Sequence, residues 1–429
     1  MTAGPKPINV LSLLALAHYN VAAIHMAKRQ YDSALLSLEK SLKFRSELAA
    51  AHPSVTKFRE NLGETYEVIA DIQHRANQHD KAFSSLQTSI GILDKLAESH
   101  PEQARHHGSL GRSWNALGYL HDELRHNLEA IPAFEKAVKE QELAIARSPD
   151  DSDYKILRSN HLENLGEQYI DLGQVERGLP YYKQAIEIRQ QLCAAYPEKR
   201  EYLLDLTDAI STLGHIQRHC GDSVAAAESF ATARTALERA VTVDATLRGR
   251  LGAILAALAA ALEDQKKTGD ALILLRRAVE ILSHLDQDLV ADDKARERKS
   301  EALWELARVL RAAGEPGQAE ESDVERKGLW KNQPPAKLAA LALRETTQAV
   351  LIGYGKSPID GRARSVRELD LDQAAASLRL AISLGFDDLP MLKQNPDSWA
   401  LLARADLQTL IKNMELTRSR GPLQPQKQQ

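Results

Sequence analysis

Small and large apolar positions recur along this chain at a fixed step of 48. A small residue stands at Ala34, Ala82, Ala130, Gly178 and Ala226, and four places later comes a large one at Leu38, Leu86, Phe134, Tyr182 and Phe230. Three further on are Ser41, Ser89, Ala137, Ala185 and Ala233. Upstream, Ala22, Ala70, Gly118, Gly166 and Gly214 form a second small column, each preceded by Val21, Ile69, Leu117, Leu165 or Leu213. Proline recurs at 53, 101, 149 and 197, and Phe58, His106, Tyr154 and Tyr202 share one further column.

Five units in register, with no insertion, define a repeat array. A small residue four places before a large apolar one lies on the same helical face. The small residue lets a neighbouring helix come close, and the large one fills the groove beside it. The columns therefore predict an interlocked helical hairpin per unit, with proline ending the second helix and opening the next unit.

Repeat three, with Trp114, Leu117-Gly118, Ala130, Phe134 and Ala137, resembles the tetratricopeptide repeat (TPR) family. Repeat four does so through Leu165-Gly166, Tyr169, Tyr182 and Ala185. The resemblance implies an all-α fold, a right-handed superhelical solenoid of antiparallel helix pairs. The usual period is about 34 residues, so each unit carries roughly fourteen more, close to four helical turns. Two extra turns on each helix keep the buried face in phase and predict paired helices of roughly twenty residues, about 30 Å each.

The pattern continues less regularly. Repeat six has Leu258-Ala259, Gly269-Asp270, Ala271, Leu275 and Ala278, and reads as having its hairpin turn shortened by about three residues. Repeat seven has Leu303, Leu306-Ala307, Gly314 and Ala319, its second helix running through Trp330 to Pro334-Pro335. A divergent hairpin from Lys337 to Tyr354 and Leu369 to Leu384, with a loop at Gly355–Arg364, is expected next. Gly385 to Leu416 reads as a cap, since terminal repeats meet water on one side. Residues 1–330 are thus expected to form about seven hairpins and 331–416 the divergent hairpin and cap. The Gln/Pro-rich 417–429 reads as a disordered tail.

His52-Pro53, His100-Pro101 and Ser148-Pro149 at the hairpin ends narrow the resemblance. So does the ending Ala374…Leu378…Ala381, Gly385-Phe386-Asp387-Asp388, Leu392, Asp397, Leu401, Asp406-Leu407 and Leu410. Both are similar to the C-terminal TPR arrays of bacterial eukaryotic-like serine/threonine protein kinases. The kinase's own glycine-rich loop, His-Arg-Asp loop and Asp-Phe-Gly motif are missing from the sequence. The chain therefore reads as a stand-alone partner, or a fragment, of such a kinase.

Composition agrees with helix throughout: aromatic residues make up only 5%, too few for a sheet-rich fold. A net charge of −4 gives no basic face for nucleic acid. The two cysteines, Cys193 and Cys220, form no disulfide framework, which suits a cytoplasmic protein. No run of 18 apolar residues predicts a membrane span. Lys6 followed by Ile8–Ala17 imitates a weak signal peptide, but the repeat register claims the same residues for its first helix.

Candidate chemistry is sparse, and no metal, cofactor or catalytic residue is expected. His215 and His219, four apart with Cys220 beside them, have a metal-compatible spacing, although two histidines near a helix C-terminus are the plainer reading. His106-His107, with His100 nearby, reads as a solvated junction loop. Asp150-Asp151-Ser152-Asp153 reads as a cap for the helix starting near Tyr154 rather than a calcium loop. Gly-Asp at 221–222 and 269–270 reads as turn and cap chemistry. Trp304 is placed toward the inner edge of its helix, as a stacking residue or as packing against a neighbour.

In the TPR family the concave wall, made by the first helix of each hairpin, takes up peptides or partner helices. The register projects onto that wall Glu64, Glu67, Asp71 and His74 from repeat two, and Arg112, Asn115, Tyr119 and Asp122 from repeat three. Repeat four contributes Asn160, Glu163, Asn164 and Glu167, and repeat five Asp208, Ser211, His215 and Arg218. Acids outnumber bases, and the Lys/Arg/Asn set of carboxylate-clamping TPR proteins is missing. A basic or neutral protein segment is therefore the expected partner. Outward helix faces are charged in any case, so the acids could equally serve solubility. The leading expectation is a protein-interaction scaffold. The alternative is a regulatory module of a serine/threonine kinase system, with the kinase as partner, and an enzyme comes last.

Overall fold

The structure is a computed structural model that describes residues 7–285, 293–351, 361–395 and 398–419. Among the described residues there are nineteen α-helices and no strand. They fall into two compact units, Met1–Tyr202 and Leu203–Gln429. The first holds four hairpins: α1 (Ile8–Ala27) with α2 (Tyr31–Ala51), α3 (Thr56–Arg75) with α4 (His79–Ser99), α5 (Ala104–Glu123) with α6 (Asn127–Arg147), and α7 (Ser152–Asp171) with α8 (Val175–Ala195). First helices have 20 residues and second helices 21, as the period predicts.

Each hairpin is closed by its small–large pair. A Cβ added at Gly118 would lie 2.7 Å from the Phe134 ring, and one at Gly166 would lie 2.9 Å from Tyr182. Where the large residue is the slimmer Leu38 or Leu86, the small one is Ala22 or Ala70 instead, and all four are buried. The backbone gap is thus matched to the side chain that fills it. A second contact of the same kind lies further along the hairpin, where a Cβ at Gly63 would meet Leu93 at 2.9 Å.

The turns repeat as strictly. Arg29, Asn77, Arg125 and Gly173 all adopt positive φ, 56°, 57°, 61° and 73°. The next amide in each case bonds back to the last turn of the first helix, as in Gln78 to Gln73 O at 2.8 Å and Gln174 to Tyr169 O at 2.7 Å. Asp151 caps α7 through the amides of Asp153 and Tyr154. His106 and His107 are not in a solvated loop. They are buried in the first turn of α5, because the helix starts soon after Pro101 and turns this column onto the preceding hairpin. His107 Nδ1 lies 2.7 Å from Glu140 Oε2, and the His106 ring packs against His100 at 5.7 Å.

The second unit comprises α9 (Arg200–His219) from Leu203 onward, α10 (Ser223–Val241), α11 (Arg248–Asp264), α12 (Thr268–Leu285), α13 (Asp293–Ala312) and α14 (Pro316–Trp330). It continues with α15 (Pro335–Leu351), α16 (Gly361–Ser383), α17 (Leu389–Gln394), α18 (Trp399–Leu402) and α19 (Ala405–Ser419). Gly214, whose added Cβ would lie 2.7 Å from Phe230, repeats the lock. The turn of repeat six keeps its length, with Lys266 at φ 63°. The lost residues lie instead at the junction before α11, where a 3-10 turn at Ala245–Leu247 follows α10. Gly269 and Asp270 sit inside α12, while Gly221 (φ 83°) and Asp222, which caps α10 through Ala225 N, are turn and cap. The loop expected at Gly355–Arg364 is helical from Gly361, and its earlier part lies outside the described residues, as does the expected tail beyond Ser419. Leu389, Leu392, Leu401, Leu407 and Met414 pack on Ala374, Ala375, Leu378 and Ala381 of α16.

The lock can be tested by exchange. Gly118→Ala should lower stability by about 1–3 kcal/mol through overpacking, despite the better helix propensity of alanine. Gly118→Ala with Phe134→Leu should recover most of that loss, because Ala70 and Leu86 already form that pair. Thermal and urea unfolding of the two variants against the parent measures the recovery.

Candidate partner-binding groove

The first helices of unit one turn their polar faces to a common groove. Tyr19 and Met26 of α1, Glu67, Asp71, His74 and Arg75 of α3, and Asn115 and Tyr119 of α5 line one stretch of it, about 1190 Å³ with its open mouth. The face is apolar and aromatic on the α1 side, and Tyr119 is 48% exposed.

Much of this wall is occupied by bonds between successive repeats. Arg112 Nη2 reaches Glu64 Oε1 at 3.2 Å, and Ser113 Oγ donates to Glu67 Oε2 at 3.3 Å. Asn164 Nδ2 donates to Asn115 Oδ1 at 2.9 Å, and Gln168 Nε2 donates to Asp122 Oδ1 at 2.6 Å. Within hairpins, Arg189 holds Asn160 at 2.8 Å and Glu163 at 2.6 Å, and Arg75 holds Asp71 at 2.9 Å. These side chains knit the wall together. Their pairing was visible in principle, since Glu64 and Arg112 stand in one column, 48 residues apart.

Glu167 differs, making no hydrogen bond or ion pair among the described residues. It is open to solvent at the groove surface, yet the walls displace much of its water. That burial, reinforced by Asp171, Asp122 and Glu163, pushes its carboxyl up to about 7. Asp171 is pushed up to about 6 by burial and Asp122, against the pull of Arg125. Burial also raises Glu67 to about 7, although Arg112 opposes it. Asp171 was missed by the projection; it lies one turn beyond Glu167 on the same face.

In unit two the inner face is shaped differently. A recess of about 420 Å³ with its mouth is lined by His215 and Arg218 of α9, Ala256 and Ala260 of α11, Glu301, Trp304 and Glu305 of α13, and Leu369, Asp370 and Gln373 of α16. Helix α16 closes over it: His219 Nε2 lies 3.3 Å from Asp370 Oδ2 and Arg218 Nη1 3.9 Å from Asp370 Oδ1, while Arg218 Nε lies 2.7 Å from Asp264 Oδ2 of α11. His215 instead meets the Phe230 ring edge-on at 5.0 Å. Burial, then His219 and Arg218, holds it down to about 4. The two histidines thus serve separate partners. Asp208 is bonded to Arg250, and Ser211 is half-buried on α9. Trp304 is half-buried and faces the recess.

The fold and this inner wall define a helical-repeat protein built from antiparallel hairpins. Two of its hairpins carry tetratricopeptide repeats: the tetratricopeptide repeat model matches residues 111–142 and 162–192. No curated protein matches the chain. Among solved structures, a Signal Transduction ATPase with Numerous Domains (STAND) protein with a tetratricopeptide repeat sensor from Pyrococcus horikoshii is 16% identical. The likeness covers 75% of this chain and 47% of that one, with a TM-score of 0.47. Aspartyl phosphate phosphatase F from Bacillus subtilis is 15% identical over 99% of this chain and 97% of that one, with a TM-score of 0.44. Kinesin light chain-like repeats from Podosopora anserina are 22% identical over 52% and 95%, with a TM-score of 0.38. These likenesses concern the helical-repeat fold and say nothing of partners.

Glu167 carries a pH signature. Its folded value of about 7 exceeds the ordinary 4.5, so the stability linked to its proton is present below about pH 4.5 and is lost as pH rises through 7. Glu167→Gln should therefore raise the unfolding free energy at pH 8, by about 1 kcal/mol or less after solvent screening. The difference should vanish near pH 4.5, as thermal melts at the two pH values will show.

Proposed function

We propose that the chain is a protein-interaction scaffold whose first unit takes up a Lys- or Arg-bearing segment of a partner protein in its groove. The observation that carries this reading is the excess of carboxylates at Glu167, Asp171 and Asp122, with Asp122 close enough to Tyr119 to act on its hydroxyl at the edge of the aromatic stretch. A cation from a partner would supply the charge that these groups lack, and the apolar stretch would accept the stem or a neighbouring side chain. A partner recognised through phosphate would need uncommitted guanidinium groups instead. Here Arg112, Arg189 and Arg218 are each held by carboxylates, which disfavours the regulatory alternative. Titratable groups run along the wall in bonded pairs rather than converging on one reacting point, which supports a binding role over catalysis. We place this role in the cytoplasm.

The test is fluorescence anisotropy with labelled twelve-residue peptides that differ only in carrying Lys/Arg, Ser or Glu. The Lys/Arg peptides should bind best, weaken as salt rises from 50 to 300 mM, and lose about fivefold in affinity on Glu167→Gln or Tyr119→Ala. Equal binding of the Glu peptides, or indifference to both substitutions, overturns the reading.

A further inference from the structure

We infer that the recess of the second unit is a binding site for a small organic cation, an alkylammonium or alkylguanidinium ion, held by Glu301 and Trp304. All of its lining residues, from His215 to Gln373, belong to that unit, so the site is independent of the groove in the first.

The inner wall is elsewhere a seam, and here the seam opens. Glu301 stands in the repeat column of Glu64, Arg112, Asn160, Asp208 and Ala253, and Trp304 in that of Glu67, Asn115, Glu163, Ser211 and Ala256. Glu64 is held by Arg112, Asn160 and Glu163 by Arg189, Asp208 by Arg250, and Asn115 by Asn164. With alanine at 253 and 256, α11 brings no side-chain partner to the next first helix, α13. Glu301 accordingly makes no hydrogen bond or ion pair among the described residues, and the Trp304 indole meets no ring, cation or hydrogen-bond acceptor there. The two are one turn apart on the same face of α13. Both border the recess, together with the methyl groups of Ala256, Ala257 and Ala260.

The charge of the recess selects a cation. Its other ionic groups are taken up among themselves: Glu305 accepts from Arg308 at 2.6 Å and 2.9 Å, and Arg218 serves both Asp264 and Asp370. The carboxylate of Glu301 is left over. It opens to solvent at the mouth, yet burial, with Glu345, Glu305 and Asp370 nearby, pushes it up to about 7 against the pull of Arg218. A bound cation would supply the countercharge. His215, kept neutral by its own burial, does not repel one. The indole face attracts a cation through its quadrupole, and the alanines accept a short alkyl stem. An anion would instead face Glu301, Glu305 and Asp370 together. About 420 Å³ with its mouth is at the small end for a ligand site, which suits a body of a few carbons.

The experiment uses the whole chain at pH 8, where Glu301 is ionised, with its four tryptophans labelled with 15N at the indole. The probes are butylammonium and butylguanidinium, with butanol and butyrate as uncharged and anionic counterparts. The Trp304 indole signal, assigned by its loss in Trp304→Phe, should shift saturably with at least one of the cations and with neither counterpart. Glu301→Gln should weaken that binding by about tenfold or more, while Glu167→Gln in the first unit leaves it unchanged. No saturable shift with either cation, an equal shift with butanol or butyrate, or full binding by Glu301→Gln overturns the inference. Binding lost in Glu167→Gln but kept in Glu301→Gln would place the cation in the first unit's groove and overturn it too. So would a lysyl tripeptide that binds more tightly than butylammonium, since the recess would then seat a partner's side chain.

Discussion

The close approach of the two helices in each hairpin is the constraint on which the rest depends. It is set by a small residue on the first helix and a large one on the second, at Ala22 and Leu38, Ala70 and Leu86, Gly118 and Phe134, Gly166 and Tyr182, and Gly214 and Phe230. Dispersion falls steeply with distance, so a gap of half an ångström at this contact would forfeit much of its attraction. The two sides vary together: where the second helix brings a ring, the first gives up its methyl group. Hairpins of the same period therefore hold with different residues.

Once the helices are fixed at that spacing, the first helices of neighbouring units come within hydrogen-bond reach of one another. Arg112 meets Glu64 and Asn164 meets Asn115 across the repeat boundary. The inner wall is therefore both a surface and a seam. On the proposed reading, charges that serve a partner compete with charges that hold the wall together, and the surplus lies around Glu167. This separates the first unit from the second, where α16 supplies Asp370 to Arg218 and His219 from outside the register.

The fold was legible in the sequence because burial acts alike on every unit, and a pressure repeated five times stands out against composition. Helix length followed from the period, and the groove-facing side of α3, α5 and α7 followed from the buried side. The use of each inward residue was less legible. Periodicity fixes direction, but whether Glu64 is taken by Arg112 depends on rotamers and on the distance between helices. His106 and His107 were misjudged because their polarity was weighed above their column, which already placed His106 with Phe58, Tyr154 and Tyr202. The closure of the second unit's recess was hidden for a different reason: Asp370 has no counterpart in any repeat.

Both halves of each lock stand close together in the chain, on either side of one short turn. A stretch of DNA encoding a single repeat therefore carries a complete lock wherever it is copied. Unequal crossing-over between units could lengthen or shorten such an array one hairpin at a time, without first evolving a new core. The inter-repeat seam on the inner wall would have to be re-matched after each event. Drift between otherwise similar arrays should therefore concentrate on the inner wall, leaving the locks behind it unchanged.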